Sequence, residues 1–189
     1  GFDYPLWPGD DPYERFDAAG RNFISTGYSV RKLLSNGSAY TELAADQDGD
    51  VAFLAGIVLM PDKCFTISLQ TRHYARDFQS PGADALREGS KVQNEEGLFT
   101  GCMWQMHQQF RLQGYLDVFR FPWLRYTTSA PVDGKEWLIQ ASYLPARTTE
   151  VYLRYRQEEK PADIAGPGLK TPSNAVHRNL RFNAQWMYG

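Results

Sequence analysis

Cysteine and histidine are scarce: Cys64 and Cys102, with His73, His107 and His177, are scattered over 189 residues. Neither set has the close spacing of a structural zinc site, so a zinc-organised fold is excluded and no metal or other cofactor is expected. No run of Lys or Arg exceeds two residues and the formal net charge is -2, which leaves no basic footprint for duplex nucleic acid or an anionic membrane surface. Nothing approaches the roughly 18 apolar residues of a transmembrane helix. The opening GFDYPLWPGDD lacks the basic start and apolar stretch of a signal peptide, so an exported form would begin after its signal or inside a longer chain. A Gly-x-Ser-x-Gly elbow is missing, and so is any sustained helical period.

Aromatic side chains are abundant, at 14% of residues, while the mean hydropathy is a polar -0.51. A packed soluble core rarely combines the two. A membrane barrel does, because each strand has one apolar face, aromatic girdles lie at both interfaces, and the lumen and loops are polar. Of the 20 basic residues 14 are Arg, the residue whose planar donors suit confined polar space.

Period-two alternation recurs from residue 23 to the end. Over 110–119, Phe110, Leu112, Gly114, Leu116 and Val118 oppose Arg111, Gln113, Tyr115 and Asp117. The same pattern runs over 64–74, 150–156 and 180–188, and looser strands are read at 23–31, 39–45, 51–60, 98–106 and 137–144. The expected fold is therefore all-β: an antiparallel up-and-down transmembrane β-barrel with about nine strands visible. An odd count suits a portion of a larger barrel. Residues 1–22 form an irregular leading segment, and 23–189 form the strands. Short links at 35–37, 61–63, 107–109 and 145–147 alternate with long ones at 75–97, 122–136 and 157–178, the exception being 46–50. Tight turns at one end and long loops at the other is the outer-membrane arrangement.

Alternation alone does not say which face is inside, and a lipocalin-like soluble barrel would turn its apolar face inward. The polar face carries Arg72, Arg111, Arg154, Arg156 and Arg181 with Asp117, where a solvated surface would carry Lys and Glu, so it is read as the lumen. These six either form a positively biased lining that favours anions or holds a plug, or, as preferred, a ladder of ion pairs between strands. No catalytic residues are expected. His73 with Asp77 or Asp84 and Ser80 lacks a nucleophile elbow, and the adjacent pairs Glu95, Glu96 and Glu158, Glu159 are read as solvated rims. Asp46, Asp48 and Asp50 around Gly49 resemble a calcium loop but lack its glutamate and helices, so an acidic turn is preferred. Opposed side-chain directions argue against a Cys64–Cys102 bridge.

Two passages, EGSKVQNEEGLFTG at 88–101 and LDVFRFPWLRYTTSAPVDGKEWLIQASY at 116–143, resemble the C-terminal barrel of large outer-membrane proteins of Bacteroidota. Those proteins carry an N-terminal helix-hairpin-helix region similar to competence DNA-binding proteins. The resemblance spans residues 36–189 and implies the later part of a longer chain, linked to uptake or handling of DNA. No helix-hairpin-helix segment lies in these residues, so nucleic acid enters as a partner by analogy only. In FRFPWLRY, Pro122 stops the ladder, and Phe119, Phe121, Trp123, Tyr126, Trp186 and Tyr188 are read as interface or motif aromatics.

The expected function is a non-enzymatic outer-membrane module for transport, docking or accessory work in a Gram-negative envelope. Its partners would be the lipid bilayer and either other outer-membrane proteins or the rest of its own chain. The alternatives are a structural subunit of a larger outer-membrane complex and a soluble lipocalin-like ligand-binding barrel.

Overall fold

The computed structural model describes residues 9–19, 22–80, 82–126, 128–146, 148–164 and 171–186. Nine strands follow one another: β1 (Ser25–Leu34), β2 (Gly37–Asp46), β3 (Val51–Asp62), β4 (Phe65–Tyr74), β5 (Glu95–His107), β6 (Phe110–Phe121), β7 (Val132–Ala146), β8 (Thr149–Ile164) and β9 (Thr171–Trp186). Each pairs antiparallel with its sequence neighbours in one up-and-down sheet, and no helix occurs among the described residues. The sheet does not close. Among the described residues β1 and β9 are its two edges.

Two-residue turns join β1 to β2, β3 to β4, β5 to β6 and β7 to β8. The three register shifts, at Leu59/Asp62, Gln105/His107 and Tyr143/Ala146, all sit beside these turns. There the Met60, Gln105 and Leu144 amides donate to carbonyls of the preceding turn, at Asn36, Cys64 and Gln109. The opposite end carries the longer links 75–94 and 122–131. Gly49 adopts φ +89° in the β2–β3 turn, a conformation that suits glycine.

Two segments expected as loops are strand. β7 begins at Val132, so the link after β6 is 122–131, and the β8–β9 ladder continues beyond Gln157↔Arg178 to Ile164↔Thr171. The polar composition suggested loop, but a ladder is held by backbone groups, and the charged side chains here find partners. Lys135 pairs with Glu159 at 3.0 Å, and Lys160 pairs with Glu158 at 2.6 Å.

The strands separate apolar from polar side chains by parity. On β6, Leu112, Leu116 and Val118 are exposed while Asp117, Phe119 and Phe121 are buried; on β7, Ile139 and Tyr143 are exposed while Glu136, Gln140 and Ser142 are buried. The buried face is the one covered by the 75–94 loop, which we call inner. Loop residues reach six strands. Ser80 meets Ser25 of β1, the Gln79 amide donates to Asp46 of β2, and Phe78 packs on Ala52 of β3. The Leu86 carbonyl accepts from Tyr74 of β4, the Glu88 and Gly89 amides donate to Glu95 of β5, and Glu88 pairs with Lys160 of β8.

Large inner side chains lie across glycines of the next strand. Arg72 covers Gly97, Phe119 covers Gly134 and Tyr40 covers Gly56; a Cβ at any of the three glycines would overlap the covering group. In a close-packed layer that overlap can be relieved only by moving the covering group. Gly97→Val should therefore lower stability by about 1–3 kcal/mol. The denaturant midpoint of refolded protein checks this, and an unchanged midpoint would show that Arg72 does not rest on Gly97.

Candidate functional site

The inner face holds a buried ionic cluster at its centre. Arg72 on β4 donates through Nε to Glu95 Oε1 at 2.6 Å, and through both terminal nitrogens to the carboxylate of Asp117 on β6, at 2.9 and 3.1 Å. The side chains of Arg72 and Glu95 are fully buried. Glu95 accepts three further contacts from the loop, from the Glu88 amide at 2.9 and 3.0 Å and from the Gly89 amide at 2.9 Å. One carboxylate thus clamps the loop onto the sheet. A charge taken out of water is tolerated only when its oxygens and protons are satisfied in this way.

A second knot lies beside it. Glu136 accepts from the Tyr115 hydroxyl and from the Arg156 guanidinium, which also reaches Glu158 at 3.4 Å. Lys160 Nζ bridges Glu158 at 2.6 Å and Glu88 at 2.8 Å. One oxygen from each of Glu88, Glu136 and Glu158 lies within 4.8 Å of the others, a spacing that could hold a cation. Arg156 and Lys160 already supply positive charge to these carboxylates, so the knot is a self-neutralised ion-pair network. Burial pushes the Glu88 carboxyl above its usual range, with the Lys160 ammonium opposing the shift.

Nearer the short turns, Arg154 donates to Gln140 at 2.6 Å and lies over the Tyr152 ring, and Gln140 passes a hydrogen bond to Ser142. Arg111 pairs with Glu150 at 2.8 Å. Arg181 lies opposite Arg154 on the edge strand and is exposed. Of the six residues proposed for the lumen, Arg72, Asp117, Arg111 and Arg156 are in ion pairs, Arg154 is hydrogen bonded, and Arg181 makes no ion pair among the described residues. Glu95 and Glu158, read from the sequence as parts of solvated rims, belong instead to the network, Glu95 fully buried under the 75–94 loop and Glu158 held by Arg156 and Lys160; Tyr115, Glu136, Lys160 and Glu88 complete it and were not picked out as site residues. Parity could have flagged Glu95, Tyr115 and Glu136, which share the polar face with Asp117. Nothing local points to Glu88.

The aromatics divide. Phe119 and Phe121 are 4% and 3% exposed on the inner side and do not face an outer interface, because they share parity with Asp117. Trp123 packs edge-on against Phe16 and donates from its indole to the Pro12 carbonyl, while Tyr126 meets Tyr13. Both therefore sit against the leading segment. Trp186 is exposed on β9, and Tyr188 lies outside the described residues.

The other polar groupings have local roles. Asp46 accepts from the Asp48, Asp50 and Gln79 amides, which makes 46–50 an acidic turn that also ties down the loop. His73 faces outward beside Glu96 at 3.2 Å, away from Ser80 on the inner side. Cys64 and Cys102 are free and exposed. Comparison of the chain with protein-family models, curated proteins and solved structures finds no match.

Arg72→Met would strand two buried carboxylates, and it should destabilise the protein by about 3–5 kcal/mol, with much of the loss recovered when Glu95→Gln and Asp117→Asn are added. Urea titration of the single and triple variants measures this; a single-variant loss below about 1 kcal/mol would mean that the cluster is solvated.

Glu88 gives a pH signature. An acid whose carboxyl is raised on folding binds its proton more tightly in the folded state, so its ionisation lowers stability at pH 7, and that loss is relieved as pH falls through the raised value towards the ordinary 4.5. Glu88→Gln should be neutral or stabilising at pH 7, and its difference from wild type should shrink on acidification. Clear destabilisation at pH 7 would show instead that attraction to Lys160 dominates.

Proposed function

We propose that this chain is an integral outer-membrane β-barrel segment, serving as a transport, docking or accessory module of a bacterial envelope. The observation that carries this reading is the inverted distribution of polarity. Charged Arg72, Glu95, Asp117 and Glu136 are buried, while Ile67, Leu69, Leu98, Trp104, Leu112, Leu116, Ile139, Leu153, Leu180 and Phe182 are exposed on the other face. Soluble monomers rarely expose contiguous apolar patches beyond a few hundred Å². Lipid in place of water removes the conflict, since it solvates the outer side chains and leaves the inner ones to satisfy each other. A soluble ligand-binding barrel would require the opposite distribution.

The outer apolar rows run from the level of Phe110 and Tyr143 to that of Leu98 and Val118, about 26 Å along β6. Beyond them His73, Glu96, Arg120 and Asp133 form a charged row at the long-loop end. Trp104, Phe110, Tyr143, Phe182 and Trp186 gather towards the short turns, as an interfacial girdle would. The 10 residues of β4 and the 12 of β6 are sufficient to cross a hydrocarbon layer when tilted.

A sheet edge in lipid must be paired, because no water is present to bond its free N–H and C=O groups. Strands alternate in direction, so β1 and β9 run the same way, and an odd number of added strands would complete an all-antiparallel barrel. Those strands come from a larger barrel or from another envelope protein, the second being the structural-subunit form of the same reading. The resemblance to Bacteroidota outer-membrane proteins favours the larger barrel, and it alone suggests nucleic acid as cargo. We assign no catalytic role.

Fractionation of the native protein tests this: it should stay with outer membranes through carbonate and high-salt washes and need detergent for release, whereas release into buffer would overturn the reading. Within the membrane, Leu116→Arg on the outer face should cost about 2–4 kcal/mol and Gln113→Arg on the inner face less. The reverse order would invert the assignment of faces.

A further inference from the structure

Beside the ionic clusters, at the long-loop end, the leading segment, the 75–94 loop and the 122–131 link line an open cleft of about 210 Å³. Its lining includes Arg125, Arg76 and Lys91 against a single carboxylate, Asp17, which Lys91 pairs with at 2.6 Å. Arg76 is engaged by Asp77 at 2.9 Å. Arg125 is different. It is half-buried, its Cζ lies 3.9 Å from the centre of the Phe121 ring, and its guanidinium makes no hydrogen bond or ion pair among the described residues. Burial holds its pKa below the usual value, with the charges of Glu95 and Glu88 opposing the shift.

A planar cation with five donors is a costly group to desolvate without an acceptor. The loop does not let it escape, since the Arg125 and Thr128 backbones exchange two hydrogen bonds at 3.0 Å. The cleft sets three cations against one carboxylate around a half-buried guanidinium, and a carboxylate or phosphate is the group that a guanidinium fork receives best.

The remaining lining narrows the ligand. Tyr13, Phe16, Trp123 and Tyr126 supply ring surface, and Ser90 and Gln93 stand among them as polar groups. Gln93 holds only long contacts, 3.4 and 3.5 Å, to Asp17 and the Phe16 carbonyl. Aromatic faces beside hydroxyl and amide groups suit a hydroxylated ring better than an apolar one. The volume corresponds to on the order of seven waters, room for one sugar ring with its acidic substituent. The geometry points to a binding site for an acidic hexose, its acid group on Arg125 and its ring against Tyr126 and Tyr13. This goes beyond the envelope role proposed above and depends only on the cleft.

Calorimetric titration of the purified, detergent-solubilised protein tests it with glucuronate, glucose and inorganic phosphate as probes. Glucuronate should bind saturably, with glucose and phosphate each at least about ten-fold weaker, since one lacks the acid and the other the ring. Arg125→Gln should weaken glucuronate by about ten-fold or more. Tyr126→Ala, at a side chain 81% exposed and so safe for folding, should weaken glucuronate while leaving phosphate unchanged. Lys63→Gln, in the β3–β4 turn, should match wild type. No saturable glucuronate binding, glucose or phosphate binding as tightly as glucuronate, or indifference to Arg125→Gln would overturn the assignment. An oligosaccharide ending in glucuronate distinguishes the source: tighter binding than the free sugar identifies a polysaccharide terminus, and equal or weaker binding a free monosaccharide.

Discussion

The fork of Arg72 between Glu95 and Asp117 is the constraint from which the rest of the inner face follows. It joins three consecutive strands in one register, because the two carboxylates can meet the guanidinium only if Arg72 stands opposite Gly97. It also fixes the loop, since the carboxylate that receives Arg72 receives the Glu88 and Gly89 amides as well. A one-residue slip would send Arg72 to the apolar side and leave both acids buried without a cation, a penalty of several kcal/mol. Such a cluster contributes less to stability than to uniqueness, because an apolar replacement could fill the space without specifying a register.

Size complementarity supports the charges. Arg72 on Gly97, Phe119 on Gly134 and Tyr40 on Gly56 each lay a long side chain along the ladder over a strand that offers no Cβ. These glycines leave room for polar and aromatic groups to lie flat in the crowded inner layer. The outer face has no such packing requirement. Its Leu, Ile, Phe and Trp side chains stay largely exposed, and their contacts are cross-strand pairs such as Phe110 with Tyr143 and Trp137 with Tyr155.

Both groups of side chains at the long-loop end depend on the same loop. Glu88 leaves the 75–94 segment to join Lys160 and Glu158, while Lys91 and Gln93, a few residues on, line the cleft around Arg125. Asn94, at φ +53°, connects the two regions. Its side-chain amide donates to the Trp123 carbonyl and accepts from the Trp123 amide, so the aromatic wall of the cleft is anchored one residue from the Glu95 clamp. The cleft is consequently held by the sheet's central cluster, which it meets at Gly89, a lining residue whose amide donates to Glu95.

Alternation such as that of Leu112, Leu116 and Val118 with Arg111, Gln113 and Asp117, repeated from residue 23 onward between short and long links, determined about nine antiparallel strands, their up-and-down order and the division into two faces, because a strand's side-chain period is local. The polar segments 132–136 and 157–164 defeated that reading, since a ladder is made by backbone groups that composition does not reveal. Phe119 and Phe121, read as interface or motif aromatics, lie buried on the inner side because they share parity with Asp117. Only the tertiary structure decided that Arg72 takes two acids, that Glu88 crosses from a loop to Lys160, that Trp123 closes on residues 12 and 16, and that the sheet stays open. Those contacts join residues far apart in the chain, and their partners are chosen by where the loops fold back, which no local pattern encodes.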